Sequence, residues 1–202
     1  QGELPRITID EHGYASPRIL TIVGSRKHST YGKDVVKHLI STLKSEDVII
    51  ISGLAIGIDS LAHRTALENN IKTLSIPGSG LGKDVLYPRS NLALAKEILS
   101  NNGALISEYD DSTKAEQWTF PARNRIMAAL SDAVLLIEAE SSSGTLITAR
   151  HGLELGKDIG IVPGSIFSPT SVGTHLLLHD GATPICNRDD LFELLHIQPK
   201  EI

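Results

Sequence analysis

The residues best equipped for chemistry lie in short polar, glycine-rich stretches, each directly after an apolar run. In chain order they are Gly24-Ser25-Arg26, Ser52-Gly53-Leu54-Ala55-Ile56-Gly57, Pro77-Gly78-Ser79-Gly80, Ser107-Glu108, Glu138-Ala139-Glu140 leading to Ser143-Gly144-Thr145, and Pro163-Gly164-Ser165. Glycine lets a ligand come close to the backbone, and the N–H groups that open a following helix carry partial positive charge suited to phosphate. The same glycines also serve tight strand-to-helix turns, and any single loop is open to that reading.

The most distinctive stretch is Trp118-Thr119-Phe120-Pro121-Ala122-Arg123-Asn124-Arg125, where the only Trp and one of three Phe lie beside two Arg and an amide. Such a cluster can stack bases and hold phosphates. Stacking on an aromatic ring is worth about 1–3 kcal/mol per base, and Arg adds charge and stacking of its own. A structural reading stands beside it, in which Trp118 and Phe120 pin the loop to the core while Arg123 and Arg125 pair with acids such as Glu108 or Glu138.

Other chemistries fit poorly. Gly78-Ser79-Gly80-Leu81-Gly82 departs from the dinucleotide fingerprint, and Ser52 stands after the second apolar run where a ribose-binding acid is expected. Gly152 to Lys157 and Gly78 to Lys83 resemble phosphate-binding loops, but each is one residue short between glycines. Asp158 or Asp84 also replaces the magnesium-binding hydroxyl. His175 and His179 share a helical spacing without a third ligand beyond Asp180. No Ser sits in a nucleophile elbow, and Cys186, the single cysteine, reads as a packed thiol. Neither a cofactor nor a metal is expected.

The elements that must position these loops follow from periodicity. Apolar β-branched runs at 19–23, 48–51, 72–76, 104–107, 133–138 and 158–162 lack the alternation of a half-wet strand and recur at nearly the spacing of a βαβ unit. Helical patterns fill the intervals at 31–44, 59–69, 91–100, 121–130 and 144–155, with two short helices at 175–179 and 189–195. The result is an α/β chain with a mostly parallel sheet. In such a sheet ligands bind beyond the carboxyl ends of the strands, where all six polar loops fall.

With 202 residues, 41% of them hydrophobic, the chain can bury a sizeable core. Its 24 acidic against 19 basic residues give a net charge of −5, which excludes holding nucleic acid or membrane by bulk positive charge. Exposed charges are screened over about 8–10 Å, so a few arginines around one cleft act almost independently of that total. One cysteine makes no internal disulfide, and neither a long apolar run nor a signal-peptide pattern is seen. A soluble, cytoplasmic protein with no membrane partner is the expectation.

Gly24-Ser25-Arg26, Ser52 to Asp59, Tyr87-Pro88, Phe120 to Arg125, Ser143 to Ala149 and Val162-Pro163-Gly164 resemble, in the same order, the DNA-processing protein A family (DprA, also called Smf). The likeness runs over residues 19 to 195. It implies an extended Rossmann-like, doubly wound sheet with helices on both faces. It also implies a non-enzymatic homodimer that binds single-stranded DNA, protects incoming strands in natural transformation and loads RecA recombinase onto them. Carried over by position, Arg26 would grip a phosphate, with Gly24, Ser25 and Gly53 giving close backbone approach. Arg89 stands where members often carry Lys. Phe120 would stack a base, Arg123, Asn124 and Arg125 would shape the same wall, and Arg150 would lie close by. The dimer contact maps onto Leu177 and Leu178. The family's sterile-alpha-motif-like and winged-helix modules do not occur in these residues, and Gln117 stands where some members carry a basic residue. The expected division is an N-terminal extension or remnant of a preceding region at 1–17, where periodicity is weak, the Rossmann-like core at 18–196 and a C-terminal tail at 197–202.

Two alternatives remain. A nucleoside-monophosphate phosphoribohydrolase would use Glu108, Glu138 or Glu140 as acid or base, but its P-G-G-x-G-T-x-x-E motif is replaced here by Ser141-Ser142-Ser143-Gly144-Thr145-Leu146-Ile147-Thr148. A sensor of a small nucleotide would use the same loops.

Overall fold

A strand whose side chains are apolar on both faces has no wet side, so it must lie between layers. The computed structural model, which describes residues 1–9 and 13–198, shows this arrangement. A short antiparallel hairpin, β1 (Thr8–Ile9) and β2 (Ala15–Ser16), precedes the core. The chain then alternates through β3 (Arg18–Val23), α1 (Thr30–Thr42), β4 (Val48–Ser52), α2 (Ile58–Glu68), β5 (Thr73–Ser75), α3 (Leu92–Ser100) and β6 (Ala104–Leu105). It continues through α4 (Thr119–Leu130), β7 (Ala133–Leu136), α5 (Thr145–Glu154), β8 (Asp158–Ile161), α6 (Val172–His179), β9 (Thr183–Pro184) and α7 (Arg188–Leu194).

The main sheet is parallel throughout, in the order β6-β5-β4-β3-β7-β8-β9. The period-two alternation of β3 divides the core. Leu20 and Ile22 face α1, α2 and α7 through Val36, Ile40, Ala62 and Phe192, whereas Ile19 and Val23 face α4, α5 and α6 through Met127, Leu146, Ala149 and Leu177. A third cluster seats α3 on Leu54, Leu86 and Leu105. Each fully buried side chain of this size contributes about 1.5–3 kcal/mol. This is the doubly wound α/β architecture expected from the sequence. The strand order reverses beside β3: β4 lies on one side, and β7 on the other with Val23 opposite Leu136. The loops after β3 and β7 therefore leave the sheet side by side.

Three features were illegible in the sequence. Hairpin β1–β2 and edge strand β9 have only two residues each, too few for a pattern, and Thr183 and Pro184 are exposed. The N-terminal extension runs antiparallel to β6: the Gln1 nitrogen donates to Leu105 O at 2.9 Å, and Glu3 N–H to Gly103 O at 3.3 Å. In the expected tail Ile197 packs on the core, while residues 199–202 lie outside the described residues. Among the described residues no helix is long and apolar enough to cross a membrane, and no three metal-ligating side chains cluster.

Candidate nucleic-acid interface

Beyond the carboxyl ends of β3 and β7 opens a cavity of about 480 Å³, walled by residues 24–27, the Phe120 end of α4, and residues 142–145 at the start of α5. Its walls are tied together by the fold. Thr145 Oγ1 donates to Gly24 O at 3.2 Å, Ser143 Oγ accepts from Thr145 N–H at 3.2 Å, and Asn124 Nδ2 donates to Gly144 O at 3.2 Å. Ser25 points inward, accepting from Lys27 N–H at 3.0 Å, while its carbonyl receives Ile58 N–H at 3.1 Å. That turn leaves Arg26 and Lys27 exposed at the mouth.

The Arg26 guanidinium lies 5.4 Å from the centroid of half-buried Phe120. Among the described residues Arg26 makes no ion pair, so its charge is available to a ligand. Phe120 sits on Gly78, where an added Cβ would come within 2.6 Å of the ring. Glu140 and Asp59 also line the cavity, so carboxyl groups stand beside the cations that Arg26 and Lys27 bring to its mouth.

Of the three polar residues of α4 expected to share one wall, Asn124 and Arg123 line the cavity and Arg125 does not, and Arg123 does so from a buried position. Arg123 is 4% exposed, and its Nη1 donates to Gly53 O at 2.6 Å and to Ile76 O, bracing the ends of β4 and β5. Burial lowers its pKa to about 10, opposed by the Asp59 carboxylate. Burial in turn pushes the Asp59 carboxyl up, opposed by Arg123 and by the Ala55 and Gly53 N–H groups. Nearby on α2, fully buried His63 lies with Nδ1 2.7 Å from Thr73 Oγ1, and burial lowers its pKa to about 3.

Asn124 is buried and holds Gly144, as above. Arg125 faces away from the cavity and pairs with Glu108, as in the structural reading of this stretch. Arg150 is exposed on α5 but does not line the cavity, and Arg89 is exposed with Nη2 3.1 Å from Asp84 O. Helical spacing carries the signal that separates these residues: Phe120, Arg123, Asn124 and Met127 fall at i, i+3, i+4 and i+7, whereas Arg125 falls off that stripe. Lys27, Asp59 and Thr148 were missed as cavity residues. Lys27 follows the Gly24-Ser25-Arg26 turn directly, and Thr148 lies one turn after Thr145.

Comparison with known proteins decides the family. The model for DNA recombination-mediator protein A matches residues 11–196. The chain is 39% identical to DNA processing protein DprA of Bacillus subtilis over 88% of its length, spanning 59% of that protein. The chain belongs to the DNA recombination-mediator protein A family. The X-ray structure of DprA from Streptococcus pneumoniae superposes with a TM-score of 0.81 at 37% identity, covering 90% of this chain and 62% of that one. DprA from Helicobacter pylori, described for its unique single-stranded DNA binding mode, superposes with a TM-score of 0.80 at 31% identity, covering 90% of this chain and 81% of that one.

The structure also places the remaining residues expected from the likeness to the DNA recombination-mediator protein A family. Gly24 and Gly53, expected to give close backbone approach to a ligand, also make room for the protein itself: a Cβ on Gly24 would meet Ile58 at 2.7 Å, and one on Gly53 the Arg123 guanidinium at 2.5 Å. Leu177 is 4% exposed in the core and Leu178 packs half-buried against the same cluster. On that side of α6 the exposed apolar residues are Val172 and Leu176, near a loop carrying Ile166 and Phe167, the latter 90% exposed.

Proposed function

We propose that the chain binds single-stranded DNA in the switch-point cleft and acts as a recombination mediator without catalysing a covalent step. In this reading it protects incoming strands during natural transformation and passes them to RecA in the cytoplasm. The observation that carries the proposal is the Arg26 cation, without an ion pair among the described residues, set over the half-buried face of Phe120 at the cavity mouth. A phosphate on Arg26 and a base on Phe120 are the two halves of one nucleotide, and only a single strand offers a base face free to stack. The binding mode ascribed to the Helicobacter pylori relative supports the same ligand.

Two of the three acids that the enzyme alternative would use are already engaged by neighbours, which supports the binding reading. Glu138 accepts from Ser29 N–H at 2.9 Å, Ser29 Oγ at 2.6 Å and Thr170 Oγ1 at 3.1 Å, and Glu108 is held by Arg125. A homodimer is part of the proposal, with a second copy covering Phe167, Ile166 and Leu176 rather than Leu177. Sedimentation of Leu176→Glu should then show monomer, and an unaltered dimer would place the interface elsewhere.

The deciding experiment is fluorescence anisotropy of a labelled oligothymidylate against its duplex at two salt concentrations. The single strand should bind preferentially, with log affinity falling by about 0.7 per log unit of salt for each phosphate neutralised. Arg26→Ala should weaken every sequence equally and lower that slope by about one phosphate's share. Binding of equal strength by the variant would overturn the proposal.

A further inference from the structure

We propose that Ile56 and Tyr87 seat the base next to the one stacked on Phe120, so that the bound strand leaves the cavity across the β4–β5 side of the sheet. This rests on the single-stranded DNA reading above and adds a direction to it. A shallow notch of about 30 Å³ adjoins the main cavity, sharing Arg26 and Phe120 with it and bounded on its far side by Ile56, Tyr87 and Pro88. Ile56 follows β4, and Tyr87 lies in the connection from β5 to α3.

Both residues are apolar bodies left in water: Ile56 is 54% exposed and Tyr87 45%. The Tyr87 ring centre is 5.7 Å from that of Phe120 and inclined at 58°, so the two rings cannot receive the same base face-on. Each presents its own face, which suits successive bases of a bent single strand. The Tyr87 main chain is held in place by its N–H, which donates to the Ser79 Oγ at 3.2 Å. The occupant is a nucleobase of the same strand because the notch continues the cavity, and the Arg26 cation sits where the linking phosphate must pass.

The test is a length series of labelled oligothymidylates, extended one nucleotide at a time, titrated against the wild type, Tyr87→Ala, Tyr87→Phe and Phe120→Ala. Wild-type affinity should rise stepwise with length, and Tyr87→Ala should remove one step, about tenfold, as for the loss of one stacked base. Tyr87→Phe should restore that step, since the ring and not the hydroxyl carries it. If Tyr87→Ala matches the wild type at every length while Phe120→Ala binds weakly, the notch is not a base seat although the cleft still binds DNA. A uniform weakening by Tyr87→Ala at all lengths would also overturn the proposal, making Tyr87 a support for Phe120. If Phe120→Ala also binds as the wild type does, the DNA reading falls and this inference with it.

Discussion

Arg26 and Arg123 line the same cavity with the same functional group, yet they belong to different economies of the molecule. Arg26 stands at the mouth, exposed and without an ion pair among the described residues, with its cation over Phe120. Arg123 lies in the floor, where carbonyls of Gly53 and Ile76 take its hydrogens and Asp59 offsets its charge. In the proposed reading the mouth holds groups that meet the DNA strand, whereas the floor holds groups that keep the strand ends in place. Side-chain type does not separate these roles; burial and partners do.

The contrast breaks most decisively at the floor. Arg123→Ala should destabilise the protein by about 3–5 kcal/mol, because it leaves Asp59 buried without its counter-charge and two carbonyls without a donor. Chemical denaturation would show this, and a loss of DNA binding without loss of stability would move Arg123 to the mouth. The floor should also respond to acid through His63. Its pKa of about 3 in the fold lies below the ordinary value of 6.5. Its contribution is therefore complete above pH 6.5 and declines as pH falls towards 3, by about 2–3 kcal/mol between pH 6 and pH 4. Denaturation midpoints of His63→Gln across that range should fall less steeply than those of the wild type.

The mouth should behave in the opposite sense. Phe120→Ala should weaken single-strand binding by about 1–3 kcal/mol with a much smaller change in stability, since the ring is half-buried. Parallel anisotropy and melting measurements separate the two effects. Smallest of all, Glu140→Gln removes a carboxylate from the cavity rim and should tighten binding about twofold at low salt, with the gain fading as salt rises.

The six main strands and the helices between them were legible because burial on both faces leaves a continuous apolar run and each helix keeps an apolar stripe. The two-residue strands β1, β2 and β9 carry no period and emerge only from pairing. The site was legible to the same depth. Arg26 and Phe120 could be found because strand ends in a parallel sheet converge. The separate fates of Arg123 and Arg125 depend on which face of α4 meets β3, and the i, i+3, i+4 spacing from Phe120 encodes that face. The same holds for α6, which turns Leu177 inward and Leu176 outward, a difference that adjacent leucines do not reveal in the sequence.

The strand pairing of Gln1 to Glu3 on β6 has a consequence for the protein in concentrated solution. A bare sheet edge is a template on which another molecule's strand can lengthen the ladder, the first step towards fibrous aggregates. Here the chain's own first residues occupy that edge, and they lie flat only because position 2 is Gly: it has φ +92°, and a Cβ there would come within 2.3 Å of Gly103 O. A bulkier residue at position 2 would lift this cover and leave the β6 edge open to pairing with strands of neighbouring molecules.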